Sequence, residues 1–230
     1  MKDVKGLLQK CPVLAGLLPE GIDEAMQITR TRHFDEKALI CSKGDQHCAL
    51  MVIGQGSVRI NSVSSTGKEV TLMIFEAGSW FGDNVFSPGM PRVFGATAHS
   101  DVTLLELPGD KFRQLLAKYP QSYPVVLDLL SRRLWTAISV IEDDAIRGIE
   151  ERIGRRLLLL AEYQHNQPVS AGPYVVRVTR EHIANMMGLT RQSVHKILKK
   201  FESLGLIGLK YGYITILKPQ QMEEYLKQLE

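Results

Sequence analysis

Residues 179–207, TREHIANMMGLTRQSVHKILKKFESLGLI, constrain the chain more than any other stretch. Thr179 suits a helix N-cap, with Glu181 and His182 in the first turn. Gly188 breaks that helix, because glycine accepts the left-handed conformation in which helices end. Thr190 can cap the next helix by accepting a backbone N–H. Ala184, Met187, Gly188, Leu189, Val194 and Ile197 are small or apolar at spacings that let two helices cross tightly about a three-residue turn. That is the pattern of a helix-turn-helix. A hairpin, LIGLKYGYITILK with Gly212 in its turn, follows as a wing, and a last amphipathic helix starts near Pro219.

The second helix separates its residues by side. Val194, Ile197, Leu198 and Phe201 form an apolar face, while Arg191, Gln192, His195, Lys196 and Lys199 point outward. Net charge is only +3, but its distribution is uneven: residues 150–230 carry 12 Lys and Arg against 8 Asp and Glu, and residues 1–149 carry 16 against 17. Between 177 and 200 there are six basic residues and one acid. A helix in a DNA major groove needs this arrangement, with long donors near its N-terminus reaching base edges and lysines further along reaching phosphates. The candidate DNA contacts are Arg180, Thr190, Arg191, Gln192, Ser193, His195, Lys196 and Lys199. The alternative is a solvated basic face on an ordinary helical hairpin. The helix-turn-helix spacing and the Gly-turned wing count against it.

The first half of the chain reads differently. ALICSKGD, ALMVIGQGSVRI, EVTLMIF and VTLLELP are short β-rich runs separated by glycine turns, with SSTGKEV as a hairpin tip. Closely spaced strands of this kind predict a compact antiparallel barrel or roll. After Pro108 the period changes to helical, with a short helix over 109–118 and a long one from Tyr123 to about Asp144 or further. The apolar positions Leu127, Leu130, Leu134, Ala137/Ile138, Ile141 and Ala145 step by threes and fours, as in a coiled-coil seam. Such a stripe packs either on the roll or on a second copy, and it outlasts what one small roll can cover. A homodimer seam is therefore expected through Leu127, Leu130, Leu134, Ile138, Ile141 and Ala145. ERIGRRLLLLAEYQ is another helix, HNQPVSAGP a loop and YVVRVT a short strand. The expected organisation is α+β: a β-roll with flanking helices over 1–122, a dimerisation helix over 123–148, and a winged helix-turn-helix over 149–230.

No window has the apolar length needed to span a bilayer. The start, MKDVKGLLQKCPVLAGLL, is interrupted by Lys10 and Pro12 and reads as a mature N-terminus, not a signal peptide. Cys11, Cys41 and Cys48 show no CxxC spacing, and their odd number excludes a fully paired framework. Reduced thiols in a cytoplasm are expected. No nucleophile elbow, HExxH, P-loop or GxGxxG after a strand is present, so no enzymatic role and no metal site are expected.

From about residue 30 to 217 the chain resembles the bacterial cyclic-AMP receptor / FNR (CRP/FNR) family of transcription regulators. The resemblance rests on GSVRI, on TGKEVTLMIFEAGSWFGD entering the roll, on RRL in the long helix, and on the segment quoted first. It implies an effector-sensing, cyclic-nucleotide-binding-like β-roll, a long dimerisation helix, and homodimers on palindromic operators in double-stranded DNA. For an activator it also implies contact with RNA polymerase. Arg191, Gln192 and Lys196 stand where family members read bases. Cyclic-AMP receptors have Arg-Glu there, followed by Arg. Gln192 favours adenine where Glu would accept from cytosine, so the operator should differ from theirs.

The resemblance also implies a phosphate cassette opening with Gly-Glu and closing with Arg-Ser, and a Thr-Ser pair on the long helix. Here the stretch is WFGDNVFSPGMPRVFGAT, one residue shorter between its ends. Gly82 fits, and Arg92 is placed to hold an anion. Asp83 replaces Glu, Val93 replaces Ser, and Ala137 and Ile138 replace the Thr-Ser pair. With Asn84, these are the candidate effector residues. Each lost hydrogen bond would cost about 1 kcal/mol, so a small anionic effector with an apolar body suits the site better than cyclic AMP. Alternatively Arg92 only makes a salt bridge, for instance with Asp83. Three separated cysteines cannot supply the four thiolates of an FNR-type iron–sulfur cluster. Haem remains open, with His33, His47, His99 and the cysteines as axial ligands, as does a thiol switch between Cys41 and Cys48. An effector-independent regulator, or a nucleotide-binding module without DNA contact, completes the set.

Overall fold

The computed structural model describes residues 3–67, 69–165, 168–170 and 172–229. By contact density the chain divides into Met1–Val63 with Phe75–Ala137, and Ser64–Ile74 with Ile138–Glu230.

The first unit opens with α1 (Val4–Lys10) and α2 (Pro19–Ile28). Asp3 caps α1 by accepting the Gly6 N–H at 2.9 Å, and Pro19 starts α2 where a missing N–H costs nothing. Strands β1 (Arg30–Phe34), β2 (Leu39–Cys41), β3 (Ala49–Gln55), β4 (Ser57–Val63), β6 (Trp80–Phe81), β7 (Gly95–Ala98) and β8 (Val102–Pro108) follow, while most of β5 (Glu69–Glu76) is assigned to the second unit. One antiparallel sheet runs β1-β8-β3-β6, and in the second β7 lies between β2 and β4. The roll is therefore present as expected. Its strongest ladder pairs β3 with β8, from Ala49 opposite Pro108 to Ile53 opposite Leu104, and buries both strands.

β1, β6 and β7 carry no clear strand pattern in sequence. β1 (RTRHF) is almost wholly exposed and β7 reads GATA. Pairing of β1 to β8, of β6 to β3, and of β7 to β2 and β4 holds them extended in spite of weak intrinsic preference. Leu8, Leu14 and Ile22 from the N-terminal helices pack with Leu50, Val52, Leu105, Leu107 and Phe112. Trp80, Phe86 and Phe112 meet edge to face at 6.3 and 6.1 Å, each contact worth about 0.5–1.5 kcal/mol beyond burial.

Pro108 ends the last strand, and α3 (Gly109–Lys118) and α4 (Tyr123–Ile146) follow at the expected places. The stripe of α4 is divided between two roles. Val126 is buried, and Leu129 and Leu130 pack on the core of the roll. Leu130, half-buried, therefore spends part of its surface on this chain's own roll. Leu127, Leu134, Ile138 and Ile141 remain 43–69% exposed, and Ala145 is exposed.

The second unit contains α5 (Ile149–His165), β9 (Tyr174–Val176), α6 (Arg180–Met187), α7 (Arg191–Ser203), β10 (Ile207–Lys210), β11 (Tyr213–Ile216) and α8 (Pro219–Lys227). Its sheet runs β10-β11-β9. The core joins Ile153, Leu157 and Leu160 of α5 to Ile183, Val194, Leu198, Phe201, Ile214 and Leu226. The strand expected over YVVRVT stops at Val176, short of the capping residue Thr179. Of the expected hairpin tip and of the loop after α5, Lys68, Asn166, Gln167 and Ala171 lie outside the described residues.

Candidate DNA interface and candidate ligand site

Side-chain caps start both α6 and α7. Thr179 Oγ1 accepts the His182 N–H at 3.1 Å, and His182 Nδ1 accepts the Thr179 N–H at 3.3 Å. The pair makes a capping box in which histidine stands for the usual Glu or Gln. Gly188 closes α6 at φ +63°, and the Leu189 N–H reaches back to Ala184 O at 2.9 Å. Thr190 Oγ1 accepts the Ser193 N–H at 3.1 Å and lies 2.9 Å from the Ser193 hydroxyl. Thr190 and Ser193, both expected at DNA, thus spend hydroxyl capacity on holding the start of α7.

Val194, Leu198 and Phe201 are fully buried, which fixes the roll of α7 about its axis. Arg191, Gln192, Lys196 and Lys199 consequently face solvent. Gln192, Ser193, His195, Lys196 and Lys199 line one shallow concavity of about 550 Å³. His195 departs from the expected outward face. It is half-buried, and its Nδ1 has no hydrogen-bond partner among the described residues. Lys199 donates to Glu202 at 2.6 Å, which holds the Glu202 carboxyl below the usual range and partly cancels the lysine charge. Arg191 and Lys196 make no ion pair among the described residues, so α7 keeps its open charge toward its N-terminal half.

In the roll, Gly82 has φ +100°, and a Cβ there would meet Ala49 O at 2.2 Å. Only glycine fits, and it turns the chain into a short 3-10 turn over Asp83–Phe86. Asp83 pairs with Arg133 of α4, fifty residues away. Arg133 also donates to Trp80 O at 2.7 Å and stacks on the Trp80 ring, 3.4 Å from its centre. Sequence separation hid this partnership, and it displaces the salt bridge considered between Asp83 and Arg92. Asn84 donates from Nδ2 to His47 O at 3.3 Å, while its Oδ1 is buried without a partner among the described residues.

Arg92 is 3% exposed. Its backbone is pinned to the turn after β2: the Gly44 N–H donates to Arg92 O at 2.8 Å, and the Arg92 N–H donates to Asp45 O at 2.9 Å. The guanidinium is directed inward, and Nε, Nη1 and Nη2 have no hydrogen-bond partner among the described residues. Neighbouring Val93 points the other way, 69% exposed, and is corrected from the set of pocket-lining residues. Ala137 and Ile138 lie on α4, and neither side chain offers a polar group.

Among the histidines considered as haem ligands, His33 and His47 each have one ring nitrogen near a side-chain partner. His33 lies 3.1 Å from Thr103 Oγ1, and His47 lies 3.4 Å from the buried Glu106 carboxylate, which also pairs with Arg32 at 3.1 Å. His99 donates its backbone N–H to Ser57 O at 2.9 Å. Burial pushes the Cys41 thiol above its usual range despite the nearby Arg92 charge, which makes it a poor nucleophile. Cys11, buried in the core, is pushed up to about 11 by the same cause.

These two sites define a class: a winged helix-turn-helix DNA-binding protein that carries a β-roll with an inward-facing, buried arginine. Family models match both parts, a cyclic nucleotide-binding domain over residues 31–119 and a Crp-like helix-turn-helix domain over residues 151–225. The chain belongs to the CRP/FNR family of transcription regulators. It is 27% identical over 211 residues to the CRP-like cAMP-activated global transcriptional regulator of Mycobacterium tuberculosis, covering 91% of this chain and 94% of that one. A solved CRP/FNR-family regulator from Thermus thermophilus superposes with a TM-score of 0.63 at 26% identity, over 87% of this chain and all of that one. A CooA variant from Carboxydothermus hydrogenoformans shares the fold, with a TM-score of 0.72 at 22% identity over 96% and 95% of the two chains.

Proposed function

We propose that DNA binding by this transcription regulator is governed by a small anionic molecule held against Arg92. The observation that carries this reading is an arginine only 3% exposed whose three guanidinium nitrogens lack partners among the described residues. An unpaired buried charge costs several kcal/mol, so a fold retains one where a ligand supplies the counter-charge. Arg can meet a carboxylate or phosphate with two parallel N–H donors.

Cyclic AMP is the second reading. The mycobacterial relative is described as cAMP-activated, and Gly82 and Arg92 suit a phosphate. Three observations favour a less polar anion. The Asp83 carboxylate is already engaged by Arg133, Val93 has no hydroxyl and faces solvent, and Ala137 and Ile138 carry no polar groups. A redox-responsive mode gains no comparable support, because burial pushes the Cys41 thiol above its usual range. An effector-independent regulator would leave the Arg92 charge unexplained.

The working unit is a homodimer formed through the exposed α4 stripe. Trp135, 67% exposed beside it, is an additional contact that the heptad count did not single out. Two copies of α7 related by a two-fold axis would read a palindromic operator in the cytoplasm, and RNA polymerase would be the further partner of an activator. The ligand acts by binding one arrangement of the DNA-binding elements better than another.

The test is a melting-temperature screen of acidic small molecules, including cyclic AMP, against the intact protein and Arg92→Met in phosphate-free buffer. The expected result is a concentration-dependent rise for an apolar anion that the variant lacks. A rise with cyclic AMP alone would favour the second reading, and equal responses of both proteins to every anion would remove Arg92 from the site.

A further inference from the structure

We propose that His47 is a positioning residue for the Arg92 site: its charged ring, set against the buried Glu106 carboxylate, braces the loop that grips both Asn84 and Arg92, and the brace is released when the ring loses its proton. This rests on the reading of Arg92 as an anion site and adds proton control of that site.

Glu106 sits in the middle of β8, opposite Arg30 of β1 and Met51 of β3, and is 3% exposed. A carboxylate so enclosed is costly unless it is paired. Oε2 accepts from Arg32 Nη1 at 3.1 Å, and Oε1 has His47 Nε2 at 3.4 Å. The second distance is long for a hydrogen bond. The attraction at Oε1 therefore depends on the charge of the ring, and a neutral imidazole supplies little of it.

The loop that carries His47 runs from Cys41, at the end of β2, to Ala49, at the start of β3, and both ends are buried. Between them Gly44 and Asp45 bond the Arg92 backbone. His47 O accepts from Asn84 Nδ2 at 3.3 Å, and the Cys48 thiol donates to Asn84 O at 3.5 Å. Residues 44–48 thus hold the segment from Asn84 to Arg92 at both ends. Other side chains do less to fix the loop. Asp45 accepts the Ser42 N–H at 2.7 Å within the turn, and Lys43 reaches the Ser62 hydroxyl at 3.5 Å. Among the described residues, His47 is the side chain that ties the loop to β8.

The charged groups on the elements around the ring already have partners: Arg32 has Glu106, Asp83 has Arg133, and Asp110 has Arg113. Histidine is the side chain whose ordinary charge change falls between pH 5 and 8. Acidification through that range tightens the grip, and a rise in pH loosens it. A braced loop presents Arg92 in one place, so an anion binds without the cost of ordering the segment.

Inorganic sulfate is the probe, because its charge is constant across this range. Its binding to the intact protein is titrated at constant ionic strength at about pH 5.5 and about pH 8, on either side of the ordinary imidazole value. The same titrations are made with His47→Gln, His47→Lys, Glu106→Gln and Arg92→Met. Wild type should bind sulfate about two- to fivefold more tightly at the lower pH, the factor that a half-exposed ion pair supplies. His47→Gln should bind at both pH values as wild type does at the higher one. His47→Lys, which keeps a permanent charge, should bind at both as wild type does at the lower one. Glu106→Gln should lose the pH dependence. Wild type and His47→Gln should melt together at the higher pH, which excludes a folding defect as the cause. The proposal is refuted if His47→Gln keeps the wild-type pH dependence or if His47→Lys behaves like His47→Gln. No response of wild type to sulfate, or an equal response of Arg92→Met, overturns the anion site itself and the proposal with it.

Discussion

Arg92→Met should make the protein more stable in the absence of added anions, against the usual direction for a substitution at a buried site. The residue is 3% exposed and its three guanidinium nitrogens have no hydrogen-bond partner among the described residues. Its transfer from water is therefore not offset by an internal bond. Methionine keeps most of the apolar stem's length and adapts to irregular space, so the substitution mainly removes the charge. Replacing a buried ion pair by apolar residues of similar volume stabilises proteins by about 1–4 kcal/mol, and removal of an unpaired buried charge, which orphans no partner, should fall within that range. A gain of about 2 kcal/mol corresponds to about 8 °C in melting temperature for a unit of this size. Trp80 and Trp135 both belong to that unit, so intrinsic fluorescence reports its unfolding. Adding a binding anion should reverse the order of the two proteins, since wild type gains RT ln(1 + [L]/Kd) and the variant does not. A variant that melts below wild type in anion-free buffer would show that Arg92 has an internal partner, and the argument from an unpaired buried charge would fall.

The charges of α7 should separate in DNA titrations at varied salt: Lys196→Ala lowers the slope by nearly one counterion, while Lys199→Ala lowers it by less, because Glu202 already holds that ammonium. Equal slope changes would refute the pairing. Ile141→Asp, at a position 69% exposed on α4, should shift the protein from dimer to monomer in sedimentation without lowering the stability of the monomer; an unchanged sedimentation coefficient would place the dimer contact elsewhere. Glu150 is partly buried, which opposes its charge, yet Lys200 and Tyr225 donate to it and hold its carboxyl below the usual range. A depressed carboxylate stabilises the fold above its unfolded value and loses that contribution as pH falls through the folded one. The melting temperature of wild type should therefore converge on that of Glu150→Gln below about pH 4, and a constant difference down to about pH 3.5, below the ordinary glutamate value, would exclude the carboxylate as the cause.

The helix-turn-helix was legible almost residue by residue. Thr179, Gly188 and Thr190 act within a few residues of themselves, through caps and one left-handed φ, and Val194, Leu198 and Phe201 orient α7 by their spacing alone. The same holds for the break at Pro108, where the period of the apolar residues changes. Local chemistry of this kind needs no knowledge of what lies across the fold. The apolar stripe of α4 was also readable, but the packing of Leu130 on the roll was not, because a helical repeat specifies a face and not what the face meets.

The ligand site required the tertiary structure. The resemblance marked Gly82 and Arg92 as site residues, yet nothing in sequence ties Asp83 to Arg133 across fifty residues, or directs Arg92 inward while Val93 turns outward. Those outcomes follow from strand register and from the Gly44–Asp45 turn that holds the Arg92 backbone. β1, β6 and β7 were hidden for the same reason, since their extended conformation comes from partners that lie far away along the chain. Sequence by itself determined what each segment could become and that one helix would present open positive charge. Only the assembled roll decided which charges found partners and that Arg92 did not, because pairing between distant groups depends on distances that the chain acquires when it folds.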